Sequence, residues 1–134
     1  MAFEILEHTA DVGVRAVGDT REASFEEAAR GLAHIAGIWT EGSGEIVEVD
    51  LDGEDDGSLL VDWLSELLWL HDARDALVSS VRVVPREEGI RCRVELVPRG
   101  RRETEGTQVK AVTYHGLRVD EEGGRWVAVV YLDV

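Results

Sequence analysis

The chain has 134 residues, with 14 lysines and arginines against 28 aspartates and glutamates, a formal net charge of −14 at pH 7. Because so acidic a protein does not by itself attract phosphate backbones or anionic lipids, unaided binding to nucleic acids or membranes is not expected. Its 44% hydrophobic content exceeds that of acidic disordered tails, and its length fits a single domain over residues 1–134. One cysteine, no signal-peptide pattern and no membrane-span pattern predict a cytoplasmic protein.

The first half of the chain predicts three strands and one helix. Residues 3–6 are short and apolar, and residues 12–17 place valine and alanine at alternate positions, as strands do. Thr20 is a candidate N-cap for a helix whose apolar residues recur at helical spacing, and Gly37 is a natural stop for it. Residues 46–51 alternate as a third strand.

The second half predicts a leucine-rich helix and four strands. Ser58 is a candidate N-cap, and the stripe after it contains Leu59, Leu60, Trp63, Leu64, Leu67 and Leu68. Residues 77–84 with 90–97, and 109–119 with 126–134, predict two hairpins. Residues 126–132 are nearly all apolar, which predicts a central strand covered on both faces. The whole pattern predicts an α+β fold, with a mixed β-sheet of about seven strands packed with two α-helices.

Two acidic positions are candidates for a cation site. Asp11 follows His8 in the corner between the first two strands, where it either caps a turn or contributes to a site. Asp133 ends the apolar last strand, beside the terminal carboxylate of Val134. Two negative charges on so short a stretch either remain solvated or need a cation, and oxygen ligands suit a hard metal ion.

Two further patterns have both a functional and a plain interpretation. Asp62 and Glu66 lie four residues apart on one helix face, where like charges mildly destabilise the helix. They form a second cation site, a docking patch for a basic partner or a solvated face. Lys110 and His115 lie in the strand before the last hairpin turn, and Lys110 either neutralises nearby carboxylates or guards a sheet edge.

The sequence lacks the motifs of a stand-alone enzyme. It has no Gly-rich phosphate loop, no Gly-x-Ser-x-Gly elbow and no Cys/His metal-ligand spacing. Cys92 occupies an apolar position in a strand, which is typical of core packing. A competing hypothesis is a metal-dependent hydrolase that uses His8, Asp11 and His115.

The motifs in chain order resemble those of the archease family. The resemblance rests on His-Thr-Ala-Asp at 8–11 with Val-Gly-Val-Arg-Ala after it, on residues 18–29, on 59–68, on Val-Lys-Ala-Val-Thr-Tyr-His at 109–115, and on Leu-Asp-Val at 132–134. It covers the chain essentially from end to end. The shared order of these motifs makes coincidence implausible.

The resemblance implies a non-catalytic accessory activator of the RtcB-type RNA ligase, which joins RNA ends in tRNA splicing and repair. Such a protein promotes GTP-dependent guanylylation of the ligase and its multiple turnover. The family's metal ligands fall on Asp11, Asp133 and Val134, with calcium as the expected ion and manganese or magnesium as alternatives. Accessory or partner-binding roles are expected for His8, Asp62, Glu66, Lys110 and His115. The alternative is a general chaperone-like protein-interaction module, for which the acidic surface suffices.

Overall fold

In the computed structural model, which describes residues 1–7 and 11–134, seven strands and two helices follow the order ββαβαββββ. Their bounds are β1 Ala2–Glu7, β2 Asp11–Gly18, α1 Arg21–Ala36, β3 Glu45–Asp52, α2 Asp56–Arg74, β4 Ala76–Arg86, β5 Gly89–Pro98, β6 Ala111–Glu122 and β7 Arg125–Asp133. The α+β class and the number of elements predicted from the sequence are confirmed.

The strands form two sheets and not the single mixed sheet predicted from the sequence. The four-stranded sheet has the order β1-β2-β7-β6, and the three-stranded sheet has the order β3-β5-β4. Each pairing between these strands is antiparallel. Each helix contacts strands of both sheets, so the helices lie between the two sheets and do not cover one face of a single sheet.

The helix boundaries follow local capping chemistry. Thr20 accepts a hydrogen bond from the Ala23 backbone N–H, and Gly37 adopts the left-handed conformation with φ of 69°, so both predicted limits of α1 are confirmed. The predicted cap of α2 was wrong, because Asp55 and not Ser58 is the N-cap. The Asp55 carboxylate accepts hydrogen bonds from the backbone N–H groups of Gly57 and Ser58, and also from the Ser58 hydroxyl.

The buried residues form a cluster with members from both sheets and both helices. The predicted stripe of α2 faces this cluster, with Trp63 fully buried and its indole N–H donating to the Phe25 carbonyl at 3.0 Å. Strand β7 is central in its sheet, and residues 126–132 are all buried or half-buried, as the sequence predicted. The residues at the end of β7 therefore follow a strand that is paired on both sides.

Strand β6 departs from simple alternation. Thr113 pairs with Tyr131 and Arg118 pairs with Val129, so residues 114–117 lie opposite one residue of β7. This bulge contains Gly116, whose φ of 69° favours glycine. The sequence predicts a strand over residues 109–119, and regular alternation along it would assign His115 to one face of the sheet. The bulge removes that assignment.

Candidate functional site

The first strand after the opening corner and the last strand of the chain bring two carboxylates together. Asp11 begins β2 and Asp133 ends β7, and their Cα atoms are partners in the antiparallel ladder. Residues so paired have Cβ atoms about 4.5–5.5 Å apart. Val14 and Ala16 on β2, and the even-numbered residues of β7, face the core, so Asp11 and Asp133 share the outward face.

Two further contacts fix the end of β7. Val134 is half-buried and packs against the hydrophobic cluster. The backbone N–H of Lys110 donates to the Asp133 carbonyl at 2.8 Å, which ties the segment before β6 to this point. Asp133 is therefore held by backbone contacts while its side chain stays exposed. We call Asp11, Asp133 and Val134 together the acidic tip.

The charges of the acidic tip lack counterions within the part of the chain that the structure describes. None of the ion pairs between residues in 1–7 and 11–134 includes Asp11 or Asp133. Lys110 is exposed and is likewise absent from those pairs, so it joins the acidic tip through its backbone only. Like charges directly opposite each other destabilise a ladder, and a bound cation would remove that repulsion.

A cavity of about 180 Å³ lies beside the acidic tip. It is lined by Asp11, His115, Gly116 and Tyr131, so the structure brings together two of the residues predicted from the sequence. Drug-sized ligands occupy cavities of roughly 300–1,000 Å³, so this one suits an ion with its water or a small polar group. His8 lies outside the described residues.

Tyr131 is a residue that sequence reasoning missed. Its ring lies between two glycines: a Cβ atom on Gly13 would be 2.8 Å from the ring Cε1, and one on Gly116 would be 2.8 Å from Cε2. The ring thus connects β2, β7 and the β6 bulge beside the acidic pair. The signal was available, since Tyr131 lies two residues before Asp133 and so on the same face of the strand.

The remaining predicted residues lie elsewhere. Asp62 is exposed and Glu66 is half-buried on α2, and neither lines the cavity beside the acidic tip. Cys92 is fully buried, and desolvation, with smaller effects from the charges of Asp50 and Glu66, raises the pKa of its thiol to about 12. A thiol so protonated is core packing rather than a nucleophile.

A larger cavity of about 530 Å³ lies between the start of α1 and the β4–β5 turn. Its two arginines already have carboxylate partners: Arg21 pairs with Glu22 and Asp56, and Arg86 pairs with Asp52. An anionic ligand would have to displace those partners. The acidic tip is therefore the stronger candidate site.

The acidic tip offers few side-chain ligands to the expected metal ion. Among residues 1–7 and 11–134, no group of three or more His, Cys, Asp or Glu side chains is arranged to hold a metal ion. The two aspartate carboxylates and a backbone oxygen of Val134 are all hard oxygen donors, which suits calcium, magnesium or manganese rather than zinc. The residues fit a hard cation that completes its shell with water.

These features define a class of protein: an α+β domain with two sheets around two helices, and an acidic pair at the end of the larger sheet that forms no ion pair with residues 1–7 or 11–134. The chain matches the Archease protein family (MTH1598/TM1083) over residues 3–134, and it belongs to that family. Within the described residues, no helix has the length and apolar character needed to cross a membrane.

Similar proteins agree with this assignment. The chain is 39% identical to Protein archease of Methanopyrus kandleri, with all of both chains covered. It is 34% identical to Protein archease of Pyrococcus abyssi, with 98% of each covered. The solution structure of protein 1598 of Methanobacterium thermoautotrophicum shares the fold with a TM-score of 0.81 at 31% identity, over 99% of each chain. A Thermotoga maritima archease, described as a possible chaperone, has a TM-score of 0.69 at 24% identity, over 98% of this chain and 96% of that one.

Proposed function

We propose that this chain is a non-catalytic activator of an RtcB-type RNA ligase, which promotes the GTP-dependent guanylylation of the ligase and its multiple turnover. The observation that carries the proposal is the pairing of Asp11 with Asp133 across β2 and β7, at positions where the archease resemblance places metal ligands. Membership of the archease family supports the partner.

Asp11, Asp133 and an oxygen of Val134 would hold a divalent cation, with calcium as the expected ion and manganese or magnesium as alternatives. The bound ion would supply positive charge beside the phosphates of a nucleotide in the ligase. The chain's own residues position it: the β2–β7 ladder holds the two carboxylates opposite each other, and the core contact of Val134 fixes the last oxygen donor.

The net charge of −14 supports a division of labour between the two proteins. An acidic chain repels the RNA backbone, so the ligase would hold the RNA while this chain contacts the ligase. Four exposed or half-buried residues remain candidates for that contact: Asp62, Glu66, Lys110 and His115. His8 stays a candidate from the sequence. A cytoplasmic location also stays a prediction.

The test is a guanylylation assay with a purified RtcB-type ligase, GTP and a divalent cation. Asp11→Asn and Asp133→Asn keep the side-chain shape and remove one charge each. We expect each variant to lose most of the stimulation, because one missing carboxylate weakens a site with few protein ligands. Asp72→Asn is the matched control, since this exposed aspartate lies at the end of α2 and should leave stimulation intact.

Full stimulation by both tip variants would overturn the proposed function of the acidic tip. Failure of the unaltered chain to stimulate any RtcB-type ligase would overturn the partner. Metal-independent binding of many unrelated unfolded proteins would instead favour the chaperone-like alternative. Turnover by the purified chain without a ligase would favour the metal-dependent hydrolase that uses His8, Asp11 and His115.

A further inference from the structure

Helix α2 presents an outward face that combines one large aromatic side chain with carboxylates. Asp62, Glu66 and Trp69 are separated by four and three residues, so they lie in one line along the helix. Asp62 is exposed, Glu66 is half-buried, and Trp69 is 59% exposed. We call these three residues the α2 face. At 1.5 Å per residue the line is roughly 10 Å long.

Trp69 differs from the other tryptophans of the chain. Trp63, one and a half turns earlier, is fully buried with its N–H donating to a carbonyl, and Trp39 and Trp126 are half-buried. An exposed indole leaves a large apolar area in contact with water, and tryptophan is among the residues most enriched at the centres of protein interfaces. The position of Trp69 therefore indicates a partner rather than core packing.

The two carboxylates in line with Trp69 have no ion-pair partner among the described residues. Asp62 and Glu66 take part in none of the ion pairs formed between described residues. The basic residues near the end of the helix are already engaged, since Arg74 pairs with Glu45 and the His71 ring is within 2.6 Å of the Ala76 carbonyl. The α2 face thus offers two carboxylates and an aromatic ring without a cation of its own.

We propose that the α2 face is a docking surface for an arginine-bearing segment of a protein partner. A guanidinium can stack on the indole and also donate two parallel hydrogen bonds to a carboxylate, a combination that the compact lysine ammonium does not match. Arginines on a helical segment at i, i+4 and i+7 would meet Asp62, Glu66 and Trp69 in register. The inference rests on the proposed function, in which Asp62 and Glu66 are candidates for the ligase contact, and deepens it by naming the chemistry of that contact. The α2 face is separate from the acidic tip and requires no metal ion.

The probe is a helical peptide with three arginines at i, i+4 and i+7, compared with a peptide of identical composition whose arginines are distributed around the helix. Binding to the full chain is measured by titration calorimetry at about 150 mM salt, where long-range attraction is largely screened. We expect the matched peptide to bind at least roughly tenfold more tightly than the scrambled one, a difference of about 1.4 kcal/mol.

Two sets of variants distinguish binding at the α2 face from non-specific attraction of the basic peptide to an acidic protein. Trp69→Ala and the pair Asp62→Asn/Glu66→Gln should each weaken matched-peptide binding by roughly tenfold, within the range of aromatic and charge anchors. The pair Glu87→Gln/Glu88→Gln removes the same two charges from the exposed β4–β5 turn and should change affinity by less than about twofold. Trp69→Tyr keeps a π face and should restore part of the loss.

The proposal is overturned if the scrambled peptide binds as tightly, or if the control pair weakens binding as much as the face variants do. Asp11→Asn and removal of divalent metal distinguish the two proposals, because both should abolish ligase stimulation while leaving peptide binding unchanged. Loss of peptide binding in Asp11→Asn would also contradict a separate surface. Thermal unfolding of each variant checks that the exposed substitutions leave the fold intact.

Discussion

The outward faces of the two sheets place carboxylates in contrasting cross-strand environments. On the three-stranded sheet, Glu48 lies opposite Arg93 and Asp50 lies opposite Arg91. The arginine Nε atoms are 2.6 Å and 2.7 Å from the carboxylate oxygens. On the four-stranded sheet, Asp11 lies opposite Asp133. The same ladder geometry therefore neutralises Glu48 and Asp50 in one sheet and places two like charges opposite each other at the end of β2 and β7 in the other, where Glu4 and Arg15 form a neutralised pair across β1 and β2.

This contrast shows where the excess negative charge is structural and where it is available for function. Opposite charges directly across a ladder stabilise it modestly, whereas like charges destabilise it. The chain has enough arginine to line the outer face of the three-stranded sheet, and none of the ion pairs between described residues reaches the acidic tip. An added cation would therefore stabilise the fold more at the acidic tip than on the outer face of the three-stranded sheet.

The largest expected effect concerns the packing beside the acidic tip. Gly116→Ala should cost about 3 kcal/mol of unfolding free energy, because its Cβ would strike the Tyr131 ring and its φ of 69° strains any other residue. Gly123→Ala is the control, since its φ of 60° carries the same strain in open space and should cost only about 1 kcal/mol. Equal losses in urea unfolding would contradict a packed ring.

The contact between Gly116 and the Tyr131 ring predicts that substitutions at these two residues have coupled effects on stability. In the double variant Gly116→Ala/Tyr131→Ala, the collision is gone because the ring has been removed. The double variant should therefore lose less unfolding free energy than the sum of the losses in the two single variants. Gly13 on the other side of the ring prevents Tyr131 from moving away in the single variant. Strict additivity in the double-mutant cycle would show that Gly116 and Tyr131 act independently.

The next effect is metal-linked stability. Calcium at a hundredfold excess over its dissociation constant should stabilise the chain by about 2.7 kcal/mol, because only the folded state brings Asp11 and Asp133 together. Asp133→Asn should lose most of that gain in thermal unfolding with and without calcium, while Asp72→Asn should keep it. A gain of the same size in Asp133→Asn would remove this aspartate from the site.

A smaller effect concerns the neutralised face. The hydrogen bond from Arg91, together with the charges of Arg86 and Arg91, holds the pKa of Asp50 below its usual value. Its stabilisation is therefore present above the carboxyl's unfolded pKa and is lost as pH falls through the lower, folded pKa. Asp50→Asn should lower the melting temperature at neutral pH and low salt, and the difference should vanish in acid.

Asp11→Asn, measured without metal, should not lower the melting temperature as Asp50→Asn does. Removing one member of a like-charged pair should leave the melting temperature unchanged or raise it slightly at low salt. A loss equal to that of Asp50→Asn would mean that the two faces do not differ electrostatically.

The smallest effect is on reactivity rather than stability. Burial raises the pKa of the Cys92 thiol to about 12, so the folded chain should resist alkylation at mildly alkaline pH. The denatured chain should react at once, and labelling should follow global unfolding across a urea series. Rapid labelling without denaturant would contradict a closed core between the sheets.

Much of the fold could be predicted because local signals agreed with tertiary packing. The alternation of residues 12–17, the Thr20 cap and the Gly37 stop each depend on near neighbours, and each was confirmed. Asp55 was missed as a cap because two polar residues compete there, and only backbone geometry shows which one accepts. The division into two sheets could not be predicted, because periodicity gives a strand its two faces but not its partners.

The candidate site also has one part that could be predicted from the sequence and another that required the tertiary structure. Asp11 and Asp133 were selected from the sequence as charges at strand ends and as matches to the archease motifs, and their ligand role stays a prediction. Their juxtaposition depends on β7 inserting between β2 and β6, a contact between residues more than a hundred positions apart. The shared strand face of Tyr131 and Asp133 could be read from the sequence, but the contacts of the Tyr131 ring with Gly13 and Gly116 depend on the β2–β7 register and on the β6 bulge.

By itself, the sequence determined which segments are strands or helices, which faces are apolar and that the surface is strongly acidic. Those properties follow from side-chain chemistry and spacing, which act over a few residues. Only the tertiary structure decided which carboxylates face arginine and which face each other, because cross-strand register is set by the packing of whole sheets. The same register leaves Asp11 and Asp133 as the charged pair that a partner's chemistry could use.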